Sequence, residues 1–88
     1  MWTVHLDAKA EKDLKRLDRQ TRSLILSYLQ KRLQNCKDPR AFGKGLSGPL
    51  SKYWRYRVGD YRILCEIQDN KVRVLVVKIG HRRDVYQE

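Results

Sequence analysis

The sequence predicts an α+β protein of order β-α-α-β-β-β, a small, mostly antiparallel sheet with an N-terminal helical hairpin packed on one of its faces. Three observations carry that prediction. Residues 53–86, YWRYRVGDYRILCEIQDNKVRVLVVKIGHRRDVY, alternate apolar strand formers with cations. Gly59-Asp60 and Asp69-Asn70 break that segment where hairpin turns belong. Residues 8–35 hold apolar residues at helical spacing. At 88 residues the chain is expected to be one domain, 1–88, with room for one modest core.

The elements follow in order. Trp2, Val4 and Leu6 alternate with Thr3 and His5 as a short first strand, in which His5 reads as a surface residue. Asp7 can cap the next helix, because its carboxylate can accept from first-turn amides. From Ala8 to about Leu17, Ala10, Leu14 and Leu17 form one stripe, with Lys9, Lys12, Lys15 and Arg16 largely off it. Asp18-Arg19-Gln20 reads as a break, and a second helix is expected from Thr21 to Asn35 around Leu24, Ile25, Tyr28, Leu29 and Leu33. A short link between amphipathic helices implies an antiparallel pair. Residues 35–50 hold Pro39, Gly43, Gly45, Gly48 and Pro49 and read as a loop. Strands are expected over Lys52–Val58, Tyr61–Ile67 and Lys71–Ile79. In the first of these, Trp54, Tyr56 and Val58 share one face, while Tyr53, Arg55 and Arg57 share the other.

The charge narrows the function. Lys and Arg number 20 against 10 Asp and Glu, giving a formal net charge of +10. Such an excess favours a polyanionic partner, and RNA is the first candidate. A membrane is not expected: no run approaches the ~20 apolar residues of a spanning helix, and the charged N-terminus has no signal-peptide core. A cytoplasmic location follows. Cys36 and Cys65 show no ligand spacing, so no metal is expected, and Cys65 reads as a small core residue.

On these motifs the chain resembles the RelE/ParE superfamily of bacterial toxins, most closely its RelE side. The resemblance rests on the β-α-α start, Leu46-Ser47-Gly48, the run Tyr53-Trp54-Arg55-Tyr56-Arg57-Val58-Gly59-Asp60-Tyr61-Arg62-Ile63, and the ending Val77-Lys78-Ile79-Gly80-His81-Arg82-Arg83-Asp84-Val85-Tyr86. It implies a RelE-like microbial-RNase fold across the whole chain. It also implies a toxin that cuts mRNA in the ribosomal A site and is held inactive by a RelB-like antitoxin. ParE-like relatives share the fold but poison DNA gyrase. Carried onto this sequence, the RelE catalytic pattern falls on Arg55, Arg57, Arg62, Arg82 and Tyr86, with Arg83 as a substitute for Arg82. Some relatives have lysines at the first pair, which can transfer protons where arginines cannot. The chain runs only two residues past Tyr86, short of the C-terminal helix that some relatives carry.

The chemistry gives each residue a role and a plainer alternative. Arginine stays charged and grips phosphate oxygens in a fork, so Arg55, Arg57, Arg62 and Arg82 suit a clamp on a reacting phosphate. Arg55 and Arg57 also read as a solvated strand face, and Arg62 as the partner of Glu66. Histidine titrates near neutrality without perturbation, so His81 reads as a proton shuttle, and equally as a phosphate contact or an anchor for the strand end. Tyr86 suits base stacking or, with a pKa lowered by nearby cations, proton donation; as a near-terminal residue it also reads as frayed. Tyr53 and Arg83 are candidate RNA-binding residues, Tyr53 by stacking. Trp54 and Tyr56 read as core. The helix lysines read as a general phosphate-contact surface.

No cofactor is implied. The expected partners are the ribosome with mRNA in its A site and an antitoxin whose acidic segment folds over the basic surface. The other readings are a gyrase inhibitor and a non-catalytic nucleic-acid-binding module.

Overall fold

A computed structural model describes residues 1–81. It shows an α+β architecture: two α-helices and a five-stranded mixed sheet of order β1-β5-β4-β3-β2. The strands are β1 (Thr3–Leu6), β2 (Lys44–Gly45), β3 (Trp54–Val58), β4 (Tyr61–Gln68) and β5 (Arg73–His81), and the helices α1 (Ala8–Lys15) and α2 (Arg19–Tyr28). β2, β3, β4 and β5 pair antiparallel in turn, and β1 runs parallel to β5.

Local chemistry sets the ends of the elements. Asp7 accepts the Ala10 amide at 2.8 Å and caps α1. Asp18 does the same for α2 through Thr21, at 3.2 Å. The expected break at Asp18-Arg19-Gln20 is therefore only a cap, with Arg19 and Gln20 already helical. The second helix also ends differently: Leu29–Leu33 is a π-helical turn, and Asn35 takes a positive φ of 64°. Within the expected loop, Lys44–Gly45 pairs with Arg55 and Trp54 and adds the edge strand β2. Asp69–Lys71 forms a 3-10 turn closed by Val72 at φ 51°, in place of a tight turn at Asp69-Asn70.

The core lies between the helices and one sheet face. α1 seats chiefly on β5, and α2 reaches β3. Ala10, Leu14, Ile25, Leu29 and Leu33 meet Tyr56, Ile63, Cys65, Val74, Val76 and Ile79. Tyr56 is fully buried, and its hydroxyl donates to the Pro39 carbonyl at 2.7 Å. Trp54 Nε1 donates to the Phe42 carbonyl at 2.7 Å. Just past those anchors the chain passes so close that a Cβ on Gly43 would stand 2.4 Å from the Arg55 carbonyl; only glycine fits. These contacts lock the connection onto β3, the strand that carries Arg55 and Arg57.

Replacing Tyr56 by Phe leaves the buried Pro39 carbonyl without its donor. The expected loss is about 1–3 kcal/mol, read as a lower urea midpoint with an unchanged slope. An unchanged midpoint contradicts this account of the connection.

Candidate phosphate-binding surface

The functional face is built by register. Val58 pairs with Tyr61 across the two-residue turn Gly59-Asp60, in which Gly59 supplies a φ of 57°. Arg57 then stands directly opposite Arg62, and Arg55 opposite Leu64. The ladder extends both ways: Lys44 opposes Arg55, Lys78 opposes Leu64, and Gly80 opposes Arg62. Paired residues share a face, so Lys44, Arg55, Leu64 and Lys78 form one row across the sheet, and Arg57, Arg62 and Gly80 the next. This face is opposite the one on which Tyr56, Ile63 and Ile79 enter the core.

Burial grades the cations. Arg57 is exposed, Arg55 and Lys78 are half-buried, and Arg62, on the central strand, is only 6% exposed. Arg62 Nη1 donates to the carbonyls of Tyr61 at 3.3 Å and Gly59 at 3.4 Å, which ties the guanidinium to the hairpin turn. Like charges directly opposite one another destabilise a sheet. Arg57 and Arg62 stand opposite one another in this way, and an anion bound between them would offset their repulsion. Gly80 adds no side chain over Arg62.

The predicted residues are not all gathered there. Arg55, Arg57 and Arg62 share the face. His81 does not: it pairs with Tyr61, on the helix-facing side, and its ring meets that of Tyr61 edge-on with centroids 5.7 Å apart. Tyr53 precedes β3, at the opposite end from Arg57. Lys52 Nζ lies 5.1 Å from its ring centre, and it borders a pocket of 190 Å³ with Arg40 and Trp54. Arg82, Arg83 and Tyr86 lie outside the described residues. Sequence reasoning missed Lys44 and Lys78. Lys44 sat in an apparent loop, and a register shift in the pairing of β5 hid the face of Lys78.

Other chemistry is poorly placed. Burial pushes the Cys65 thiol far up, out of the range of a nucleophile, and pushes the Tyr56 hydroxyl up as well. Burial also raises Cys36. Among the described residues, no group of three or more His, Cys, Asp and Glu side chains is placed to hold a metal ion, and no helix is long and apolar enough to cross a membrane.

Two helices on one face of a small mixed sheet, with fixed cations on the other, define a small basic protein of RelE-like toxin architecture. The chain belongs to the RelE/ParE superfamily of toxins from type II toxin–antitoxin systems: residues 4–86 match the family described as ParE toxin of type II toxin-antitoxin system, parDE. It is similar to toxin RelG of Mycobacterium tuberculosis, 28% identical over 98% of this chain and 97% of the relative. It is also similar to toxin RelE of that organism, 31% identical over 96% of this chain and 84% of the relative. Among solved structures, a chain of the RelBE2 toxin–antitoxin complex of M. tuberculosis superposes with a TM-score of 0.83 at 28% identity, covering 94% of this chain and 93% of that one. The isolated E. coli RelE toxin shares the fold, with a TM-score of 0.71 at 20% identity over 92% and 84% of the two chains.

Removing one of the opposed charges should stabilise the free protein. Arg57→Gln is expected to gain about 0.2–1 kcal/mol, read as a higher melting temperature at low salt. The gain should shrink at high salt as the repulsion is screened. A lower melting temperature in Arg57→Gln contradicts the repulsion.

Proposed function

We propose that this protein is an endoribonuclease toxin that cuts mRNA in the ribosomal A site and so stops translation. The observation that carries the proposal is the alignment of Arg57 with Arg62, beside the row Lys44–Arg55–Lys78, on one rigid sheet face. In the reaction the RNA's own 2′-oxygen loses its proton and attacks the adjacent phosphorus. The bond to the 5′-oxygen breaks, and that oxygen takes up a proton. Charge accumulates on the non-bridging oxygens. Arginine forks rooted on the sheet meet them and stabilise the transition state more than the ground state. The arginines supply the positive charge that a metal would, so the proposed chemistry is metal-independent.

The face of His81 matters here. Its pairing with Tyr61 turns it away from a phosphate held by Arg57 and Arg62. We assign it to anchoring the strand end, and proton transfer to Tyr86, with Arg82 or Arg83 completing the clamp. Tyr53 is proposed to stack on a base. The described surface offers no close pair of acid and base, which supports dependence on the ribosome: orientation alone is worth about 7–11 kcal/mol. The proposed inhibitor is a RelB-like antitoxin whose acidic segment folds over these cations, in the cytoplasm. RelB antitoxin accompanies the toxin in the relatives' complexes.

The ParE description of the matching family supports a second reading, a gyrase inhibitor. One assay separates the two. Purified protein is added to programmed ribosomes carrying a defined mRNA, and 5′ ends are mapped by primer extension, with free mRNA as the control. New ends inside the A-site codon, only with ribosomes, are expected. Arg62→Ala should slow cutting by about 10²–10³-fold. His81→Ala should cost less than the about 10²-fold that loss of a general acid or base brings. Intact mRNA beside inhibited gyrase moves the assignment to the second reading. Salt-sensitive RNA binding with neither effect leaves only a binding module.

A further inference from the structure

Helix α1 carries one acid on its apolar stripe. Ala10, Asp13 and Leu14 stand at i, i+3 and i+4, so Asp13 faces the sheet with the two apolar residues. It is 8% exposed. Its Oδ2 accepts the backbone N–H of Ile79 at 3.0 Å, a contact between residues 66 apart in sequence. Its Oδ1 accepts a hydrogen bond from Lys9 Nζ.

The need for that acceptor comes from the sheet. Strand β1 ends its register at Leu6 opposite Val76, and the Asp7 amide donates to the Val76 carbonyl just beyond. β5 continues to His81. Among the described residues no strand lies beside its edge away from β4 past Val76, yet Ile79 is buried beneath α1. A buried amide without an acceptor is costly. Asp13 supplies the acceptor where β1 stops, and the Lys9 ammonium offsets its charge.

We propose that Asp13 is a positioning residue for the toxin site. By holding Ile79 it fixes Gly80 opposite Arg62 and His81 opposite Tyr61, and so sets the shape of the arginine face at the β4–β5 end. This rests on the proposed reading in one respect, that the RNA is cut over that end.

The test uses Asp13→Ala and Asp13→Asn. Asparagine keeps an acceptor oxygen and alanine does not. Asp13→Leu keeps the apolar stripe without an acceptor and serves where the alanine variant fails to fold. On the free protein, amide exchange is followed by NMR. In the variants without an acceptor, Ile79 should exchange at least tenfold faster, with shift changes confined to residues 79–81 and their partners Tyr61–Ile63. Asp13→Asn should stay within threefold of the parent. On programmed ribosomes below the melting temperature, the single-turnover cutting rate of Asp13→Ala should fall at least tenfold, with half-saturation by ribosomes unchanged. Asp13→Asn should restore it.

A purely structural role predicts lower melting temperatures with an unaltered cutting rate, and that result overturns the proposal. Unchanged exchange at Ile79, or loss of protection spread evenly over the sheet, overturns it as well. Should the parent protein cut no mRNA on ribosomes, the proposed function fails, and the exchange data alone decide the role of Asp13.

Discussion

The register between β3 and β4 is the constraint on which everything else depends. A two-residue turn at Gly59-Asp60 forces Val58 to face Tyr61, and each rung after it follows. Tyr56 then meets Ile63 in the core, and Arg57 meets Arg62 outside it. A slip of one residue would turn Tyr56 to the opposite face and drive an arginine under the helices. Folding energy and function thus share one determinant. Burial of Tyr56 and Ile63 enforces the alignment that sets like charges opposite one another.

That coupling explains why the arginines sit on strands. A lysine or arginine on a loop avoids its neighbours by moving. Side chains rooted on adjacent strands keep their Cβ atoms about 4.5–5.5 Å apart, and the backbone does not relax to separate them. On the proposed reading, a phosphate held between Arg57 and Arg62 would relieve that repulsion. A surface held ready for an anion in this way favours the most highly charged state of its ligand, as a phosphoryl-transfer transition state is.

Much of this was legible in the chain. The alternation through Trp54, Arg55, Tyr56 and Arg57 named both faces of β3, and Asp7 announced the start of α1. Other features were not legible, for reasons that lie in the backbone. Pairing jumps from Leu64 opposite Lys78 to Cys65 opposite Val76, so one residue of β5 is skipped. Such a bulge breaks the period of two. Counting by twos from the buried Val76 puts Lys78 and Gly80 inward and His81 outward. In the structure Ile79 and His81 take the inner side. β2 is two residues long and its strand character lies wholly in its partner, β3. The parallel pairing of β1 with β5 joins the first described strand to the last and leaves no local signal. Asp13 was legible in principle, as an acid on an apolar stripe, but the amide it serves is remote in sequence.

The central claim is that the cations of the β2–β5 face form one phosphate site. It is tested most directly by an NMR titration of the free protein with a 2′-O-methyl trinucleotide, which binds but lacks the attacking hydroxyl. The side-chain Nε–Hε signals of arginine are followed. The account predicts that Arg55, Arg57 and Arg62 shift together along one saturable curve, ahead of Arg16, Arg19 and Arg22 near the helices, and that added salt weakens that curve. Equal, non-saturating shifts over all arginines, or saturation confined to the helix arginines, would contradict it.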